Sequence, residues 1–166
     1  MAIKKLNDIE IIDNVLPLEY FNHLKDIIFL DNFNWFYMDQ LSDKNDNAYY
    51  FFKHTIYEEN RIKSDYYDLF EPIFKLIGIN QLIRATVNLY PNVHKKVEST
   101  FHVDQHFPHK VAILYFNTTN GFTILNDGKE IDCIQNRLVK FDGSIYHKAS
   151  FCTDDKRRII LNINYV

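Results

Sequence analysis

From residue 82 onward the chain is a succession of short runs of alternating character cut by tight-turn residues, and this restricts the fold more than any other feature. LIRATVNLY (82–90) sets Arg84, Thr86, Asn88 and Tyr90 on one face and Ala85, Val87 and Leu89 on the other, because successive side chains of a strand leave opposite faces. KVAILYFN (110–117) and FTIL (122–125) flank TTNG, whose Asn120-Gly121 is a hairpin signal, so these two runs are expected to pair. Asn126-Asp127-Gly128 marks a turn before KEIDCI, RLVKF (137–141) is a further strand, Asp142-Gly143 a turn before SIYHKA, and RIILNINYV a closing strand. Many short antiparallel strands with tight turns predict a sandwich or jelly roll.

The first 81 residues read differently. IEIID (9–13) is a short apolar strand. LPLEYFNHLKDIIFLD follows, with Pro17 suited to a first helical turn and Leu18, Phe21, Leu24 and Ile28 at three- and four-residue steps. The helix is expected to stop near 31–34, with Trp35-Phe36-Tyr37 as a strand and Trp35 in the core. SDKNDN (42–47) is the most polar stretch and reads as a loop, and YYFFKHTIY then reads extended. A second helix opens at Ser64 as N-cap, carries Leu69, Phe70, Ile73, Phe74 and Ile77 on one stripe, and ends at Gly78. No repeat or linker divides the 166 residues, which suffice for one domain with its own core. The expected fold class is mainly β with N-terminal helices (α+β). Residues 1–81 form a strand-and-helix support and residues 82–166 a jelly-roll core. The 14 Phe and 11 Tyr, against four Gly and four Pro, agree with a sheet-rich chain.

Charge and cysteine content narrow the function classes. A net charge of −3 argues against non-specific nucleic-acid binding, which needs a broad basic face. The basic clusters His94-Lys95-Lys96 and Lys156-Arg157-Arg158 read first as solvated charge. Cys133 and Cys152 make neither a metal spacing nor a disulfide framework, which suits a reducing compartment. MAIKKLNDIE lacks the apolar stretch of a secretion signal, and no run approaches the roughly 18 apolar residues of a membrane helix. A soluble, cytoplasmic protein is expected.

The chemistry gathers in FHVDQHFPH (101–109), which holds three of the seven histidines and an aspartate. His102 and Asp104 are two apart, so an extended strand would send both side chains from one face. H-x-D alone is a common tripeptide. His147 lies several strands later, and a jelly roll brings such distant strands side by side. Two imidazoles and one carboxylate then make a facial triad, leaving positions on Fe(II) open for a bidentate co-substrate and O2. On the last strand Arg158, Ile160, Asn162 and Asn164 share one face, and Ile159, Leu161, Ile163 and Tyr165 the other. A cation and two amides on one face of an apolar strand call for a polar cavity, because unpartnered buried polar groups are costly. Guanidinium grips a carboxylate bidentately. Arg157 is the competing residue, and would serve only if the Ile159/Leu161 side faced the pocket.

In NLYP (88–91), HVD (102–104), AILYFN (112–117), the NG-F-T segment (120–123), NRLVKFDG (136–143), His147 and RRIILNINY (157–165), the chain resembles the Fe(II)- and 2-oxoglutarate-dependent oxygenases. The likeness is to their prolyl-hydroxylase-like branch and its small phage and marine-bacterial members. It covers roughly residues 82–166 and implies a double-stranded β-helix, the cupin-like jelly roll. It implies that His102, Asp104 and His147 bind Fe(2+), with no catalytic residue beyond these ligands. Arg158 and Tyr115 would hold the distal carboxylate of 2-oxoglutarate, and Tyr90 and Asn88 would line the same pocket. O2 is the second co-substrate, and ascorbate would keep the iron reduced. The implied reaction hydroxylates a C–H bond with release of succinate and CO2. Its prime substrate would be a peptidyl proline or other protein side chain, with a free amino acid or a nucleobase as the alternative. A cupin-type metalloprotein with isomerase or hydrolase chemistry and a non-catalytic binding domain are the competing classes. His106 and His109 are expected on an exposed loop after Asp104, and Phe101, Phe107 and Tyr90 as aromatic walls of the site. His94, Lys95 and Lys96 would lie near its mouth, and the lid would come from 41–48, 91–99 or the N-terminal segment.

Overall fold

The computed structural model describes residues 2–6, 9–41 and 49–166, with the backbone alone for 2–6. The polar stretch 42–47 lies outside the described residues. Strand β1 (Ala2–Leu6) and β2 (Ile9–Asp13) form an antiparallel pair, followed by helix α1 (Leu18–Phe29). Pro17 precedes the first helical residue, and Phe21, Leu24 and Ile28 form the buried stripe. Strands β3 (Phe36–Met38), β4 (Phe51–Glu58) and β5 (Arg61–Ile62) come next, so Trp35 precedes its strand and packs edge-on against Phe33.

Helix α2 spans Tyr67–Ile77. The Ser64 hydroxyl accepts from the Tyr66 N–H, so it caps a turn just before the helix rather than the helix itself. Gly78 closes α2 with φ of 75°, the left-handed conformation that lets the Ile79 N–H reach back to the Phe74 carbonyl.

The remaining strands are β6 (Leu82–Pro91), β7 (Lys110–Tyr115), β8 (Thr119–Leu125), β9 (Glu130–Cys133), β10 (Arg137–Asp142), β11 (His147–Ala149) and β12 (Arg157–Tyr165). They build a jelly roll of two antiparallel sheets. The larger runs β1-β2-β10-β7-β12-β6-β4-β3, with β5 on β4, and the smaller runs β11-β8-β9. Isolated bridges Glu98–Ser150 and His102–His147 attach the segment 97–102 to the smaller sheet.

The Asn120-Gly121 expectation is corrected here. KVAILYFN and FTIL do not form a hairpin: β7 pairs with β10 and β12, while β8 pairs with β9 and β11. The chain crosses between sheets at 116–118, and Asn120-Gly121 falls in a bulge between Thr119 and Phe122. There the Asn120 N–H is bound by the Asp154 carboxylate, and its side chain bonds Thr153. The turn at 126–128 does join paired strands, β8 and β9.

Alternation gives the larger sheet two different faces. Ala85, Val87, Ala112, Leu114, Ile159, Leu161 and Ile163 pack under α1 and α2 with Phe21, Leu24, Phe70 and Phe74. The opposite face encloses a second core against the smaller sheet, including Tyr90, Val111, Ile113, Tyr115, Leu125 and Ile160. No described helix is long and apolar enough to cross a membrane.

Candidate metal centre

His102 and His147 exchange backbone N–H···O bonds of 3.0 Å in both directions, which sets their imidazoles side by side with ring centroids 4.7 Å apart. Asp104 stands two residues after His102, where the chain bends, and its carboxylate lies on the same side as the imidazole pair. One ligand atom each from His102, Asp104 and His147 lies within 4.8 Å of the others. His147 Nε2 is 3.8 Å from Asp104 Oδ2. Both histidines place Nδ1 against a backbone carbonyl two residues earlier, His102 on Thr100 at 3.0 Å and His147 on Ile145 at 3.1 Å. With Nδ1–H donating there, Nε2 keeps its lone pair for a cation. Two imidazole nitrogens and a carboxylate, with one side open, are a donor set suited to Fe(II).

Asp104 is held by groups that the sequence did not connect to it. Arg84 Nη2 donates to Oδ1 at 2.7 Å, and Asn164 Nδ2 to Oδ2 at 2.9 Å, with Asn162 Nδ2 at 3.2 Å from the same oxygen. Arg84 Nε in turn donates to Asn164 Oδ1 at 3.0 Å. Burial pushes the Asp104 carboxyl up, but the charges of Arg84 and His147 and the Asn164 bond outweigh it and hold the group at about 2. Burial pushes the His147 imidazole down, partly opposed by Asp104, which favours the neutral ring that a metal needs. Alternation puts Arg84 on the face of Asn88 and Tyr90, but its pairing with Asp104 joins separate chain segments and leaves no periodic signal.

A second cluster surrounds Arg158, whose relative exposure is 0%. Its Nη2 donates to Thr123 Oγ1 at 3.1 Å, and the Tyr115 hydroxyl donates to the same oxygen at 2.9 Å. The guanidinium carbon lies 5.4 Å and 5.5 Å from the ring centroids of Tyr90 and Tyr115. Burial pushes the Tyr115 phenol up to about 12, so it is a hydrogen-bond donor at neutral pH. Arg158 Nε and Nη1 have no partner among the described residues. A Cβ on Gly121 would stand 2.8 Å from Arg158 Cδ and 3.0 Å from the Ser150 carbonyl oxygen, so this glycine makes room for the arginine stem. Arg157 faces the other way, over the Phe29 ring of α1 at 4.7 Å. Nothing in FTIL (122–125) marks Thr123 for this role, which depends on β8 lying in the sheet opposite β12.

Beside His102 and Asp104 lies a cavity of about 280 Å3, bordered also by Lys53, Asn88, Tyr90 and Asn162 of the larger sheet; Arg158, Tyr115 and Thr123 are not among its lining residues. Tyr90 thus belongs to both the cavity and the Arg158 cluster. Phe101 and Phe107 are exposed and do not line it; Phe51, stacked on Tyr90, supplies the aromatic wall instead. His106 is exposed as expected, whereas His109 is buried, with its ring against Gly143 and Nδ1 2.8 Å from the Phe107 carbonyl. Lys95 and Lys96 lie over the rings of Tyr49 and Phe122.

No protein-family model matches the sequence, and no curated protein matches it. Solved structures do match by shape. A prolyl hydroxylase from Trichoplax adhaerens, in complex with a hypoxia inducible factor oxygen degradation domain peptide, is 15% identical with a TM-score of 0.68, over 96% of this chain and 83% of that one. An oxidoreductase of the 2OG-Fe(II) oxygenase family from Burkholderia pseudomallei gives 8% and 0.69, over 95% and 85%. The non-heme alpha-ketoglutarate-dependent epimerase SnoN of nogalamycin biosynthesis gives 14% and 0.66, over 96% and 77%. At such identities the likeness is one of architecture, and the chain has the jelly-roll fold of the 2OG-Fe(II) oxygenases.

Proposed function

We propose that this protein is an Fe(II)- and 2-oxoglutarate-dependent dioxygenase in which His102, Asp104 and His147 hold the iron and Arg158 binds the distal carboxylate of 2-oxoglutarate. The observation that carries the proposal is the Arg158 guanidinium, fully buried with two nitrogens unpartnered. A buried cation without an anion is strongly destabilising, and a carboxylate bound bidentately removes that cost. A cupin-type isomerase or hydrolase would have no use for a buried guanidinium without a counter-anion. Iron and co-substrate supply the oxidising chemistry, in which C–H, 2-oxoglutarate and O2 give C–OH, succinate and CO2.

The protein's own part is placement. Arg158 and the Tyr115 hydroxyl would fix the far carboxylate so that the keto acid reaches the metal in one orientation. Tyr90 and Asn88 would complete the wall. Arg84, Asn162 and Asn164 hold the Asp104 carboxylate against rotation. Succinate formation from 2-oxoglutarate with Fe(II) and ascorbate tests the reading: His102→Ala should abolish it. Arg158→Ala should raise the 2-oxoglutarate KM by about tenfold or more, since loss of one charge-assisted pair costs at least that. Arg157→Ala should leave it unchanged. Turnover that survives His102→Ala overturns the ligand set, and an effect confined to Arg157→Ala exchanges the two arginines.

For the prime substrate, the resemblance and the peptide-bound Trichoplax neighbour suggest a protein side chain such as peptidyl proline. A free amino acid is the second reading. The polar lining of the cavity, with Lys53 in it, favours the latter.

A further inference from the structure

The cavity beside the metal ligands contains hydrogen-bonding capacity that 2-oxoglutarate cannot use. Asn162 is locked in orientation, because its Nδ2 donates to the Asp104 carboxylate and a carboxylate can only accept. Its Oδ1 therefore points elsewhere, and it is buried without a donor. Asn88 Oδ1 is in the same condition. Both residues line the cavity and are 8% exposed. Ionised 2-oxoglutarate has two carboxylates and a ketone, all acceptors, so it satisfies neither oxygen. A buried polar atom left unpaired is costly enough to need an explanation.

Lys53 adds a charge to this lining. It is the direct cross-strand neighbour of Asn88, and Asn162 pairs with Thr86, two residues along the same strand as Asn88. The three side chains thus form one patch on the floor of the cavity, since directly opposed residues of paired strands have Cβ atoms about 5 Å apart. Lys53 has no ion-pair partner among the described residues, whereas the other cation of the cavity, Arg84, is neutralised by Asp104.

We infer that Lys53, Asn88 and Asn162 form the prime-substrate subsite, and that it takes a free amino acid: carboxylate on Lys53, ammonium N–H donors on the two amide oxygens. The assignment rests on the oxygenase reading and deepens it. A peptidyl proline has no N–H on its ring nitrogen and no free carboxylate, so it meets neither demand. A free amino acid meets both, and the small volume of the cavity suits it.

The test measures succinate formation by the Fe(II)-loaded protein with the standard free L-amino acids, L-proline included, each against its N-acetyl, C-amide derivative. The expected result is that a free amino acid raises turnover above the substrate-free rate and its capped derivative does not. Lys53→Met should then raise the KM for that amino acid by about tenfold with a smaller change in kcat, and Lys53→Arg should restore it. Stimulation by capped prolyl peptides but not by free amino acids overturns the inference, as does stimulation by neither while 2-oxoglutarate still binds. The oxygenase reading is reported separately by the visible absorption band formed when 2-oxoglutarate is added anaerobically to the Fe(II) protein. Absence of that band and of substrate-free succinate formation would sink the oxygenase reading itself.

Discussion

The two faces of the larger sheet are built from the same strands and do opposite things. On β6 and β12, Ala85, Val87, Leu89, Ile159, Leu161 and Ile163 turn toward the helices, into a dry core that any chain of this fold requires. Their alternate neighbours Arg84, Thr86, Asn88, Arg158, Asn162 and Asn164 turn toward the smaller sheet and are all partly or wholly buried. The helix face is satisfied by packing. The inner face holds a guanidinium with two unpartnered nitrogens and two unpaired amide oxygens. One side of each strand contributes stability by packing, and the other carries buried polar groups that are costly until they find partners.

Substitution should give opposite signs on the two faces. Phe70→Ala on the helix side should cost about 3–5 kcal/mol in urea unfolding, the range for truncating a buried aromatic side chain. Arg158→Met should do the reverse. With iron and 2-oxoglutarate absent it should raise stability by about 1–4 kcal/mol, as replacing buried charge by an apolar side chain does elsewhere. The same variant should lose 2-oxoglutarate binding. If Arg158→Met destabilises instead, the guanidinium is a structural element and the contrast between the faces fails.

The smallest effect concerns pH. His54, on the helix side, stacks near Phe33 with Nδ1 2.6 Å from the Asn34 carbonyl and Nε2 2.7 Å from the Ser64 hydroxyl. Burial depresses its folded pKa below 6.5, opposed in part by the Asn34 bond. Its contribution to stability is therefore complete above 6.5 and is lost as pH falls, when the unfolded chain binds the proton first. Unfolding followed between about pH 7 and pH 5 should show a shallower decline in His54→Gln than in the parent protein. An equal decline would remove His54 from the account.

Much of this was legible from alternation. LIRATVNLY and RRIILNINY sort their residues onto the two faces as the structure does, and Gly78 ends its helix. What failed was information that depends on distant chain segments. Asn120-Gly121 looks like a hairpin turn because the local signal is the same, whether the residues reverse the chain or let Arg158 pass. His109 looked like a loop histidine, but the loop folds it onto Gly143, a contact with no period in sequence. Asn162 and Asn164 are expected beside a polar cavity, yet their bonds to Asp104 join segments 58 and 60 residues apart, which no local propensity marks.

The position of β12 has a consequence for how the molecule is made. It lies between β7 and β6, joining what would otherwise be two separate groups of strands, and of the described strands it is the latest to leave the ribosome. The residues translated before it can form hairpins and helices, but not a continuous large sheet. Asp104 likewise waits for Asn162 and Asn164, so the amide bonds that fix its carboxylate form only after translation has passed residue 164.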